Sequence, residues 1–169
     1  LAGPLYDGID ILKYGTQETL KIWYHLLNLG YQIPGTTASD SCLDRPETHL
    51  PGEPRIYTKV CGLKSIGEVA IAMKEGRNFV SSGPLIDFRI DDTIIGDTIQ
   101  SGNNEHIIKI DAYSMALKHE HLKKIELIRN GKVIKTWNIN ERHFNIKETI
   151  KEQNNAWYIV KVYGKDKAQ

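Results

Sequence analysis

Apolar positions in the first half of the chain switch between strand-like runs and helical spacing. The pattern predicts four strands and two helices, in the order strand 8–14, helix 16–30, strand 32–38, strand 55–60, helix 65–76 and strand 79–80. Thr16 is a candidate N-cap of the first helix and Gly30 its stop; Ser65-Ile-Gly-Glu68 is a capping box for the second, which Gly76 ends. Strands that alternate with helices predict parallel strands joined by crossover helices.

The second half of the chain shows strand-like alternation and no helical period. Roughly seven short strands are predicted, with strand-like segments at 85–91, 106–113, 124–129, 132–137, 143–150 and 157–163, and residues 94–99 give a Gly-Asp turn. Asn130-Gly131, between two of these, is the strongest short hairpin signal. Short strands at this spacing predict an immunoglobulin-like β-sandwich. We therefore expect an α/β part, residues 1–82, followed by an all-β part, residues 83–169.

Composition narrows the classes of partner. The 169 residues are 40% hydrophobic and 25% charged, with 22 Lys and Arg against 21 Asp and Glu. Because both signs are mixed along the chain and no basic stripe stands out, we expect no nucleic-acid partner. Because no apolar run reaches transmembrane length, we expect a soluble chain without a membrane partner.

The ends and cysteines of the chain bear on its compartment. The sequence begins Leu1-Ala-Gly-Pro4 without a Met, so we expect a piece of a longer protein whose targeting signal would lie upstream. The location therefore stays open between periplasmic or secreted and cytoplasmic. Cys42 and Cys61 flank one loop and either pair in an oxidising compartment or remain thiols. We favour unpaired thiols, since two cysteines do not make a disulfide framework.

Asp40 is the first candidate for chemistry. It follows the small residues Thr37-Ala-Ser39 at the C-terminal end of predicted strand 32–38, and α/β folds collect ligands at that edge of the sheet. Such a carboxylate is either a ligand to a metal or substrate, or an N-cap or turn residue. His25 and the His119-Glu-His121 pair are weaker candidates, because the first fits a surface position of a helix and the second lacks a third ligand.

Eight segments, taken in order and spacing, resemble the PHP-type metal-dependent hydrolases of the carbaryl-hydrolase (CehA/McbA) group. They are residues 8–11, 23–31, 37–40, 51–57, 75–85, 95–97, 127–131 and 156–164. Among them, Thr37-Ala-Ser-Asp40 and Glu75-Gly-Arg-Asn-Phe-Val-Ser-Ser-Gly-Pro-Leu85 carry the resemblance in the first part. It implies that this chain is the end of a PHP-like β/α barrel followed by its β-sandwich.

The resemblance also implies an activity. Asp40 matches a late metal-ligand aspartate of the family, and the metal would be zinc, manganese or iron. A divalent metal lowers the pKa of a bound water and polarises a carbonyl or phosphoryl oxygen. Small-molecule esters, carbamates and phosphoesters are the implied substrates. Arg55 and Arg77 match recurrent arginines, which we interpret first as structural and second as anion-binding residues in a substrate site.

This sequence departs from the family pattern in its ligands. The opening H-x-H motif of the family has no counterpart upstream of Asp40, and the Asp-x-His form is absent because Ser41 and Cys42 follow. Glu47 or His49 in the loop could substitute. We therefore expect this chain alone to be inactive, either with or without a bound metal. We also expect an upstream barrel half or a second copy of the chain to cover its exposed edge.

An alternative function is a non-catalytic module. In that reading the β-sandwich recognises a carbohydrate or a protein, and the α/β part is a degenerate scaffold. Trp137, Trp157 and Tyr163 are then contact candidates, although buried aromatic residues are usual in such sandwiches. A further alternative is that the sandwich only caps the barrel and orders dimers.

Overall fold

The computed structural model describes residues 6–12, 16–42, 44–45, 50–62, 65–100, 102–115 and 121–164. These residues are mostly in β-strands, with few helices. The chain divides into two compact units, Leu1–Ser82 and Gly83–Gln169. Within the described ranges, neither helix has the length and apolar character needed to cross a membrane.

The first unit begins with a strand–helix–strand segment. Its described elements are β1 (Ile9–Asp10), α1 (Thr16–Asn28), β2 (Gly35–Thr36), β3 (Arg55–Thr58), α2 (Ile66–Lys74) and β4 (Asn78–Ser81). β1 and β2 are parallel, with Ile9 opposite Gly35, so the predicted crossover through α1 is confirmed. Trp23 of α1 is buried, and its indole Nε1 donates to the carbonyl of Ile33 at 2.7 Å. This bond fixes the helix against the chain that enters β2.

The direction predicted for the other two strands of this unit is wrong. β3 and β4 are antiparallel, although α2 lies between them in the chain. In this register Tyr57 lies directly opposite Phe79, and the two rings stack with centroids 5.0 Å apart. A cross-strand aromatic pair of this kind stabilises an antiparallel ladder. The helical period between them predicted α2 correctly but carries no information on strand direction.

The predicted start of α2 and the predicted ends of both helices are confirmed, whereas Thr16, the predicted N-cap of α1, is the first residue of that helix. Ser65 caps α2, since its side-chain oxygen accepts from the backbone N–H of Glu68 at 3.3 Å. Gly30 and Gly76 follow the two helices with φ of 87° and 75°, a left-handed conformation that glycine adopts at low cost. After α1, the N–H of Tyr31 returns to the carbonyl of Leu26 at 3.1 Å, as in a Schellman cap.

The second unit consists of two antiparallel sheets. Its described strands are β5 (Leu85–Ile90), β6 (Thr93–Ile94), β7 (Glu105–Tyr113), β8 (Leu122–Arg129), β9 (Lys132–Glu141), β10 (His143–Lys151) and β11 (Tyr158–Tyr163). The four-stranded sheet has the order β10-β7-β5-β6, and the three-stranded sheet has the order β11-β8-β9. The chain therefore crosses between the sheets after β7, after β9 and after β10.

Alternating apolar residues of both sheets form the core of this unit. Ile108 and Ile110 of β7 are fully buried together with Leu127 of β8. Trp137 of β9 and Phe144 of β10 pack against the same cluster, with ring centroids 5.8 Å apart. Because this core joins residues from both sheets, the unit is a β-sandwich in its packing.

The hairpin between β8 and β9 is confirmed, and it has an irregular ladder. Asn130 and Gly131 have φ of 49° and 83°, which a two-residue turn of type I′ requires. The pairing of β8 with β9 shifts register twice, next to Leu122 and Lys124 and again between Leu127 and Ile128. Each shift places an extra residue in β9, as in a β-bulge.

A carboxylate holds the end of β8 to the segment before β11. Glu152 accepts from the Arg129 guanidinium, with one bond of 2.7 Å and a second, from Nε to the other carboxylate oxygen, and from the Tyr158 hydroxyl at 2.8 Å. The backbone N–H groups of Gln153 and Asn154 also donate to it, both at 3.0 Å. The Arg129 hydrogen bond is the largest cause that lowers the pKa of Glu152, to about 2.

Candidate functional site

The carboxyl ends of β1 and β2 lie at one edge of the first unit, because the two strands are parallel. Asp10 is the last residue of β1 and lies opposite Thr36, the last residue of β2. Asp10 is half-buried, and its carboxylate accepts from the backbone N–H of Leu12 at 3.1 Å. The edge therefore carries the carboxylate of Asp10 at the end of β1. Asp40 lies farther along the chain, in the segment that follows β2.

Asp40 lies in the segment that follows β2. It is exposed and has a φ of 50°, in the left-handed region that Asp tolerates better than most residues. The predicted position just beyond a strand end is therefore correct. Its conformation also fits the turn-residue interpretation, so the backbone alone does not separate the two roles.

Three buried side-chain oxygens near these strands make no hydrogen bond within the described residues. They belong to Thr37, Ser41 and Asn78. The amide nitrogen of Asn78 donates to the Gly35 carbonyl at 2.8 Å, which places Asn78 against β2. Buried polar atoms are normally paired, so such atoms mark places where water, an ion or a ligand supplies the partner.

The described residues do not by themselves complete a metal centre. Among the residues that the structure describes, no group of three or more His, Cys, Asp or Glu side chains is placed to hold a metal. Zinc sites take at least three protein ligands. The described candidates are Asp10 at the end of β1 and Asp40 in the segment after β2. Glu47 and His49, the other two predicted ligands, lie outside the described residues.

Both predicted arginines make contacts within their own hairpin or turn. Arg55 is exposed; its Nε donates to the Gly52 carbonyl, and its Nη1 donates to the Tyr57 hydroxyl at 3.5 Å. Arg77 lies 3.3 Å from a carboxylate oxygen of Glu75. These contacts agree with the structural interpretation of the two arginines; an anion-binding role stays a prediction.

The other candidates from the sequence lie apart from this edge. His25 is exposed on α1, and His121 is half-buried just before β8, while His119 lies outside the described residues. Cys42 and Cys61 are both exposed, and neither forms a disulfide within the described residues. None of these side chains joins the carboxylates at the β1–β2 edge in a described metal-binding group.

The aromatic residues proposed as contacts of a binding module are partly buried. Trp137 packs in the sandwich core. Trp157 is half-buried, and its backbone N–H donates to the Asn130 side chain at 2.9 Å. Tyr163 donates its hydroxyl to Glu126 at 2.7 Å. Trp137 therefore serves the packing of the sandwich, whereas a contact role for Trp157 and Tyr163 stays a prediction.

Sequence reasoning missed Asp10 and the three residues whose buried oxygens lack partners. Asp10 lies in the middle of predicted strand 8–14, so the strand-end argument used for Asp40 did not select it, whereas β1 ends at Asp10. Thr37, Ser41 and Asn78 carry no sequence signal, because their side chains become notable only once burial leaves their oxygens without partners.

Comparisons with known proteins identify no relative of this chain. No family model matches the sequence, and neither a curated protein nor a solved structure matches the chain. The roles of Asp10 and Asp40 therefore rest on the strand-end geometry and on the sequence motifs.

Proposed function

We propose that residues 1–82 are the last part of a PHP-like β/α barrel in a metal-dependent hydrolase, and that Asp40 is one of its metal ligands. The observation that carries this proposal is the parallel β1–α1–β2 segment, which sets Asp10 at one strand end and Asp40 just beyond the next. Parallel α/β folds collect their ligands at this edge. Oxygen donors of this kind suit a divalent metal.

The remaining ligands would come from outside the described residues. Glu47 and His49 are the candidates within the chain, and an upstream barrel half or a second copy is the candidate beyond it. Four exposed apolar side chains on and just after the helices support a covering partner: Ile22 at 56%, Leu29 at 60%, Ile66 at 89% and Ile71 at 58% exposure. A contiguous exposed apolar patch marks an interaction site, and these four side chains are the candidates for one in this unit.

The second unit would be the immunoglobulin-like sandwich of such a hydrolase. Its two antiparallel sheets with connections that cross between them support this assignment. The substrate would be a small ester, carbamate or phosphoester. If an upstream barrel half supplies the missing ligands, the isolated chain would be inactive.

The test is a titration of the purified chain with Mn²⁺, followed by NMR line broadening. We expect weak binding whose broadening is centred on residues 36–42 and which Asp40→Ala weakens by about fivefold or more, as the loss of a charged ligand implies. Asp44→Ala is the matched control, since Asp44 is an exposed carboxylate in the same loop and is expected to leave binding unchanged.

Two results would contradict the proposal. Broadening that avoids residues 36–42, or that responds equally to both substitutions, would remove Asp40 from the ligand set. Hydrolysis of an activated ester by the chain alone, lost in Asp40→Ala, would overturn the expectation that the isolated chain is inactive.

A further inference from the structure

The outer face of the four-stranded sheet carries two rows of like side chains, one residue from each of three adjacent strands. The basic row consists of Arg89, Lys109 and Lys147, which lie directly opposite one another in the ladders. The second row lies two positions along each strand and consists of Asp87, Asp111 and the amide-bearing Asn145. We call it the carboxylate row after its two aspartates. Like charges placed opposite each other destabilise a sheet, so folding alone does not favour this arrangement.

Most of this charge is paired with neighbours, and Lys147 is the exception. Arg89 lies 2.8 Å from Asp87, and Lys109 lies 2.5 Å from Asp92. Nε2 of His143 lies 2.5 Å from one oxygen of Asp111. The bond and charge of Lys109 hold the pKa of Asp92 below its usual range. Lys147 forms neither a hydrogen bond nor an ion pair in the portion of the chain that the structure describes, and it is exposed.

The two rows line one shallow depression of about 260 Å³. Side chains form the walls of this depression, because the backbones of the three strands are fully paired with one another here. Two positions farther along lies Tyr113, which is 42% exposed and meets the ring of His143 edge-on at 6.5 Å. Successive rows are about 7 Å apart along a strand, so the face from Tyr113 to Lys109 spans about 14 Å.

The order of the rows selects the chemistry of a ligand. A cationic row binds a carboxylate or sulfate group. Carboxylate and amide oxygens accept hydrogen bonds from hydroxyl groups, and an exposed aromatic ring offers an apolar surface for a sugar ring. A nucleic acid fits poorly, because its evenly spaced phosphates would meet Asp87 and Asp111 after the basic row.

We infer that this face binds an acidic saccharide, with its carboxylate or sulfate on the basic row, its hydroxyls on the carboxylate row and a ring against Tyr113. The site lies wholly within the second unit. It is independent of the proposed metal site, so either proposal can fail without the other.

Binding is tested by calorimetric titration of the full chain with digalacturonate, with a sulfated disaccharide and with neutral cellobiose. We expect one of the two acidic disaccharides to bind at least about tenfold more tightly than cellobiose, since the basic row adds charge-assisted bonds. The acidic disaccharide that binds shows whether the basic row prefers a carboxylate or a sulfate group. Absence of binding by both acidic disaccharides, or equal binding of cellobiose, would overturn the inference.

Two lysines of β10 provide a matched pair of variants. Lys147→Gln is expected to weaken acidic-saccharide binding by about tenfold, because it removes one charged contact. Lys151→Gln removes the same charge from the same strand outside the depression, where Lys151 lies 3.4 Å from Glu105. We expect it to change binding less than about twofold. Equal losses in the two variants would mean non-specific attraction of an anion.

Asn145 separates a saccharide site from a simple anion site. Asn145→Ala is expected to weaken binding of the acidic disaccharide by about fivefold, because contacts to its hydroxyl groups are lost. The same substitution is expected to leave binding of inorganic sulfate unchanged. If sulfate alone binds as tightly as the disaccharide, the carboxylate row has no role and the inference fails. Unchanged thermal unfolding of all three variants verifies that the face remains folded.

Discussion

Replacement of Glu152 by Ala should destabilise the second unit more than any exposed ion pair does. The carboxylate is mostly buried, with its side chain 11% exposed, and Arg129 is 31% exposed. The pKa of Glu152, lowered from 4.5 to about 2, corresponds to about 3 kcal/mol of favourable interaction. Since water reaches part of the Arg129 side chain after the substitution, we expect a loss of about 2–3 kcal/mol.

The pH dependence of this loss has a defined sign. Because the folded-state pKa of Glu152 lies below 4.5, the unfolded state takes up the proton first as pH falls. The stabilisation is complete above about pH 5 and is lost between about pH 4.5 and pH 2. The difference between wild type and Glu152→Ala should therefore shrink across that window.

Urea unfolding followed by NMR signals of β7 measures this effect in the second unit alone. The matched control is Glu105→Ala, which removes the exposed pair with Lys151, 63% and 79% exposed, and should cost less than about 0.5 kcal/mol. At pH 7 we expect Glu152→Ala to lower the melting temperature by roughly 10 °C or more. Equal losses in the two variants, or a loss from Glu152→Ala that stays the same at pH 2, would refute the reasoning.

Four further substitutions test the packing of the two units by urea unfolding. Ile110→Ala should lower the free energy of unfolding by about 3–4 kcal/mol, because the side chain is fully buried. Ile107→Ala on the same strand should lower it by less than about 1 kcal/mol, because Ile107 is 39% exposed. Similar values for both would contradict the assigned faces of β7. Gly131→Ala should cost about 1 kcal/mol, since φ is 83° there, and a neutral result would mean a different turn. Trp23→Phe should destabilise the first unit by about 1–2 kcal/mol through loss of its bond to Ile33, unless water replaces that donor.

Sequence patterns predicted elements better than they predicted neighbours. Asn130-Gly131 specifies its own hairpin, because a two-residue turn fixes the pairing of the strands beside it. The antiparallel pairing of β3 with β4 depends on contacts such as Tyr57 with Phe79, which no local pattern contains. The turn between β5 and β6 was missed for another reason: Asp91 and Asp92 adopt φ of 49° and 65° without a glycine to signal it.

The candidate sites differ in the same way. Asp40 could be placed at a strand end from its local sequence. The relation of Asp10 to it required the parallel register of β1 and β2. The basic row is still less visible, since Arg89, Lys109 and Lys147 are far apart in the chain and become neighbours only through two ladders.

The two bulges of β9 also affect how copies of this protein can meet. A strand from another molecule must match evenly spaced backbone groups, and between the bulges β9 offers a regular run of four residues, Lys135 to Asn138. β10 pairs with β7 over nine successive residues without a shift, so its other side is the straighter template. Any fibril-like stacking of the sandwich would therefore begin at β10, and that strand is where a gatekeeper proline would be placed to prevent it.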